Sequence, residues 1–128
     1  VQTKWIDVRS EEWIGNYNKV EGEVVKELLA GELASQKNNI RIITPFKDVC
    51  RNLKGAGTIH NMHGKEADII VFVLGGATKG ARAWAASKPN LLNVALTRAK
   101  EVIYIVGNRE NWASLPYFEV AARKIDKG

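Results

Sequence analysis

The chain has 128 residues, 45% hydrophobic and 26% charged, which excludes disordered and collagen-like classes and fits one domain with a real core. Nineteen Lys and Arg against fourteen Asp and Glu give a net charge of +5, which admits an anionic partner without identifying one. The single cysteine, Cys50, excludes an internal disulfide and favours a reducing, cytoplasmic setting.

The charge is uneven. Residues 1–35 hold four basic and seven acidic residues, and residues 36–128 hold fifteen basic and seven acidic. No apolar run approaches the roughly 18 residues of a membrane-spanning helix, so no membrane partner is expected. The start of the chain lacks both a signal-peptide core and an initiator Met, which leads to the expectation of a piece of a longer protein, with 1–128 as one domain.

Residues 4–8 read as a short strand, followed by a polar loop to about Tyr17. Asn18, with Glu21 three residues later, has the form of a capping box. From there Val20, Val24, Val25, Leu28, Leu29 and Leu33 mark one face of a helix. Residues 40–44 are β-branched and predict a strand, ended by Pro45, with a helix over 46–53. Residues 58–60 predict another short strand. The run 68–74 is apolar without alternation, the pattern of a strand covered on both faces. Residues 75–89 predict a Gly/Ala/Lys-rich loop. A helix capped by Asn90 then runs to Ala99, a buried strand covers 102–106, and short helices fall around 109–113 and 116–126. Strands alternating with helices predict a three-layer α/β domain with a mostly parallel sheet. In such sheets ligands sit beyond the carboxyl ends of strands, where the polar groups Thr44, Thr58 to Glu66 and Arg98 are expected.

Several signatures are missing. No G-x-x-x-x-G-K-[ST] loop occurs, and the glycines at 55, 57, 64, 75, 76 and 80 match neither phosphate-loop spacing nor G-x-G-x-x-G. No nucleophile elbow and no H-E-x-x-H is present. His60 and His63 stand three apart without a further ligand, so no metal site is expected.

Three segments carry a pattern in order. They are IITPF (42–46), GTIHNMHGKEADII (57–70) and LNVALTRAK (92–100), the last leading into YIVGN (104–108). Together they resemble helicase motifs IV, V and VI in the second RecA-like domain of superfamily 1, nearest the branch of RNA-surveillance and Okazaki-fragment helicases. Asn18-Lys19-Val20-Glu21-Gly22 also resembles that branch's N-x-x-E-[AG] helix start. The resemblance covers essentially the whole chain, and motif VI is its most specific element. His63 stands where the branch usually has Gln or Lys, and Leu91 where an Arg often precedes motif VI.

The resemblance implies a RecA-like, P-loop NTPase-like domain of an ATP-dependent DNA or RNA helicase, with ATP and Mg2+ held mainly by a first RecA-like domain of the same parent chain. It implies that Arg98 is the arginine finger, whose planar guanidinium suits a phosphate. Gly64 and Glu66 would lie at the nucleotide, with Glu66 accepting from a ribose hydroxyl. Thr44, Pro45, Thr58 and His60 would lie on single-stranded nucleic acid, DNA favoured over RNA, and position it without reading bases. His60 reads equally well as a buried residue tying motif V to its strand. Asn93 and Thr97 would support motif VI; Asn93 is off the face of Arg98. The tryptophans Trp5, Trp13, Trp84 and Trp112 could stack bases, but structural or domain-interface roles are the favoured expectation for each. The competing expectations are a non-catalytic nucleic-acid-binding module that kept the fold, and a motor in a nuclease-linked system.

Overall fold

The protein is described by a computed structural model covering residues 2–31, 33–34, 39–59, 66–87 and 91–115, with backbone only over 91–94. Strand β1 (Gln2–Asp7) is followed by a two-stranded antiparallel hairpin, β2 (Trp13–Ile14) and β3 (Tyr17–Asn18). Gly15 makes its tight turn at φ +59°, a conformation that favours glycine. Helix α1 (Lys19–Ala30) begins where expected, because the Asn18 side chain accepts from the amides of Val20 and Glu21. Strand β4 (Ile40–Thr44), helix α2 (Lys47–Asn52), strand β5 (Ala56–Thr58) and strand β6 (Ala67–Val73) follow. Helices α3 (Lys79–Ala86) and α4 (Leu91–Arg98), strand β7 (Ala99–Gly107) and helix α5 (Arg109–Trp112) complete the described chain.

Five strands form one sheet in the order β1-β7-β6-β4-β5, and all four pairings are parallel. The chain moves in one direction across the sheet from β1 to β4 to β5, and in the other from β6 to β7. Right-handed crossovers therefore place α1 and α2 on one face and α3 and α4 on the other. The result is the expected three-layer RecA-like, P-loop NTPase-like fold. It explains the unalternating run in β6, since Ile70, Val71, Phe72 and Val73 are fully buried between two helical layers. Ile103, Ile105 and Val106 of β7 are equally enclosed.

Three details differ from the sequence expectation. The loop 75–89 contains α3, capped by the Thr78 hydroxyl, which accepts from Ala81 N at 3.1 Å. The strand expected at 58–60 is β5 at Ala56–Thr58, because its pairing with β4 runs from Ile42↔Ala56 to Thr44↔Thr58. Glu21 does not close a capping box back onto Asn18; its carboxylate takes the amide of Gly75 at 2.9 Å. The Asn90 cap and the helix expected at 116–126 lie outside the described residues.

Candidate functional site

The crossovers leave β4 and β6 in opposite directions, so the carboxyl ends of these neighbouring strands form the switch point at which such sheets open a crevice. Thr44 ends β4 and pairs with Thr58, which ends β5. Thr44 is fully buried, and its hydroxyl accepts from Phe46 N at 3.3 Å, so it holds the turn that presents Pro45. Pro45 and Thr58 line a groove of about 540 Å³ with Phe46, Lys47, Arg51 and Trp84. The structure thus brings together three of the four residues expected at single-stranded nucleic acid. His60 lies outside the described residues.

The groove floor is tied down by Asn16, which the sequence reading passed over. Its amide donates to Asp48 Oδ2 at 2.8 Å, its carbonyl accepts from Gly76 N at 3.0 Å, and its Oδ1 accepts from Ala77 N at 3.1 Å. One hairpin residue therefore joins α2 to the loop after β6. Gly75 and Gly76 both have positive φ, and a Cβ on Gly75 would collide with the Asn16 carbonyl. The glycines serve close backbone approach here, as a Gly-Asn hairpin turn and a Gly-Gly pair signal in a sequence.

Beneath this loop lies Glu21, 1% exposed. Burial pushes its carboxyl up to about 8, against the lowering effect of the Gly75 amide. Burial also pushes up the Tyr17 phenol, with the charges of Glu23 and Glu21 adding to it. The Cys50 thiol is raised by burial and donates weakly to the Phe46 carbonyl, which marks it as a packing group.

The second set of expected residues gathers at the opposite edge. Ala67 and Ala99 pair at the amino ends of β6 and β7, and Glu66 and Arg98 each precede one of them. This corrects the expectation that all the polar groups fall beyond carboxyl ends; Thr44 and Thr58 do, Glu66 and Arg98 do not. Glu66 is exposed and faces Lys100 Nζ at 3.9 Å, a surface pair of little energetic weight. Arg98 ends α4 with its Nε buried and no hydrogen-bond partner among the described residues. Such an orphaned donor is costly unless an acceptor arrives. Thr97 is exposed beside it, Asn93 is described by its backbone alone within α4, and Gly64 lies outside the described residues. Among the described residues no group of three or more His, Cys, Asp or Glu could hold a metal, and no helix is long and apolar enough to cross a membrane.

A parallel five-stranded sheet between two helical layers is the architecture of the P-loop NTPase class. The chain belongs to the AAA domain family, whose model matches residues 3–110. It accordingly has the character of a nucleotide-binding, ATPase-type domain. No curated protein sequence matches it significantly. Among solved structures it is similar to the crystal structure of PRRSV nsp10, a helicase, at 16% identity and a TM-score of 0.45. That likeness covers 82% of this chain and 16% of the viral one, so the chain spans a small part of that protein's length.

Proposed function

We propose that the chain is the second RecA-like motor domain of an ATP-dependent superfamily 1 helicase, acting on single-stranded nucleic acid. The observation that carries this reading is the division of the sheet. Pro45 and Thr58 share a groove at the carboxyl ends of β4 and β5, while Glu66 and Arg98 share the amino ends of β6 and β7. A motor domain needs two such sites, one for the strand and one for the nucleotide.

The residues at the amino-end edge fit a nucleotide from one side. Arg98 offers a partly buried guanidinium whose Nε has no acceptor among the described residues, and Glu66 offers an exposed carboxylate that faces Lys100. Bound between this domain and a first RecA-like domain, ATP with Mg2+ supplies the phosphoanhydride whose cleavage drives the motor. Arg98 places positive charge where negative charge grows on the transferring phosphoryl group, a role worth several orders of magnitude in rate. Glu66 and Gly64 orient the nucleotide, and Asn93 and Thr97 brace the helix carrying Arg98. This domain brings no phosphate loop of its own, so the phosphates and the metal rest on the first domain. In isolation the chain neither hydrolyses ATP nor unwinds.

At the other edge Thr58 and Pro45 contact the strand backbone, with Thr44 holding their turn from beneath and His60 completing the contact. The test is ATP turnover by the full-length protein carrying Arg98→Ala. Loss of roughly a thousandfold or more in nucleic-acid-stimulated kcat, with strand affinity retained, is expected. Turnover near the wild-type value would remove Arg98 from the active site.

A further inference from the structure

We infer that Trp84 is a base-stacking platform, so that the groove at the carboxyl-end edge holds a nucleobase as well as the strand backbone. This rests on the proposed strand-binding reading and adds a residue to it that no motif supplies. Large apolar side chains are exposed at only two places among the described residues, Ile14 and Trp84, and Trp84 is 51% exposed. Ala85 and Ala86, which follow it in α3, are buried, while Trp84 lies on the exposed side of the helix.

The ring is held in place. Thr78 caps α3, and Arg82 Nη1 donates to the Gly76 carbonyl at 2.9 Å, clamping the helix to the loop that Asn16 anchors. One side of the indole leans on Phe46, with centroids 6.2 Å apart and planes tilted by 38°. The half-exposed indole lines the same groove as Pro45, Thr58, Lys47 and Arg51. A flat apolar face beside the Lys47 cation and the Thr58 hydroxyl, with Arg51 shared with Asp48, matches one repeat of a nucleic-acid strand, a base and its phosphate. The carboxylate in the groove, Asp48, already accepts from Asn16 N and Arg51, so its charge is largely answered. A duplex hides its base faces, so the occupant is a single strand.

The experiment compares binding of the full-length protein to a fluorescein-labelled single-stranded oligothymidylate and to an abasic strand of equal length, by anisotropy. Trp84→Ala should weaken the base-bearing strand between roughly fivefold and a hundredfold and leave the abasic strand unchanged, while Trp84→Phe stays near wild type. If Trp84→Ala leaves both strands unchanged, or weakens both equally, stacking is wrong while the strand-binding reading stands; the first result assigns the ring to a domain contact and the second to support of the groove. If the wild-type protein binds neither strand, the strand-binding reading fails and takes the stacking proposal with it.

Discussion

Replacing Glu21 by Gln isolates the buried carboxyl that underlies the loop after β6. In the fold the group titrates near 8, raised from 4.5 by burial that the Gly75 amide only partly offsets. The folded protein therefore holds a proton that the unfolded chain has released between pH 4.5 and about 8. Stability from this group is complete below 4.5, falls steadily across the window, and levels out above about 8. The displacement corresponds to roughly 5 kcal/mol across the whole window and about 3 kcal/mol at neutral pH, a large fraction of a small domain's total. Gln keeps the shape and the oxygen that accepts from Gly75 N at 2.9 Å, but never ionises. The variant should match the wild type in acid and exceed it increasingly as pH rises. Urea unfolding followed by circular dichroism, repeated in buffers spanning the window, gives the difference in stability between the two proteins at each pH. That difference cancels the titrating groups that do not interact with Glu21, and Tyr17, which does, keeps its proton throughout the window because its phenol is raised above its ordinary value. Parallel pH profiles for wild type and Glu21→Gln would show that the carboxyl is ionised in the fold and refute the argument.

Two further substitutions read the same corner of the molecule. Gly22→Ala should destabilise by about 1–3 kcal/mol in chemical denaturation, because the new Cβ would collide with the Tyr17 ring and hydroxyl; this overpacking exceeds the ~1 kcal/mol that alanine ordinarily gains inside a helix, and pairing it with Tyr17→Phe should recover part of the loss. Asn18→Ala should cost about 1–2 kcal/mol and lower the thermal midpoint by several degrees, since it strips the acceptor from the Val20 and Glu21 amides and the donor from the Ser10 carbonyl.

Where a local signal and the tertiary need agree, the sequence was legible. Residues 40–44 are β-branched apart from Arg41, stop before a proline and lie between two neighbours in the sheet, and strand β4 has those bounds. The Asn18 cap was visible because its bonds run to amides two and three residues away. Glu21 shows the limit, since its local spacing speaks for a capping box while its partner lies 54 residues on. Helix α3 was hidden because Gly75, Gly76 and Gly80 dominate the composition of its neighbourhood, although only the first two shape a loop and Gly80 sits inside the helix. The same concealment covered Trp84, whose setting depends on α3 existing at all. The motif residues were found by spacing, but spacing does not say on which edge of a sheet they fall. Topology decides that, since Thr44 and Thr58 end their strands whereas Glu66 and Arg98 precede theirs.

This separation bears on how the proposed motor couples its two sites. Between the edges stand β6 and β7, about 20 Å of strand whose inner residues are buried to within a few per cent. A core packed that closely has no room for a graded internal rearrangement. On the proposed function, a contact made by Arg98 would reach the groove of Pro45, Thr58 and Trp84 by moving the domain as one body, in the manner of hinge closure. The groove loops are fastened accordingly, with Asn16 joining the hairpin to both α2 and the β6–α3 loop, and Arg82 joining α3 to that loop. Displacement at one edge then arrives undiminished at the other, which is what a strand-moving domain requires of its sheet.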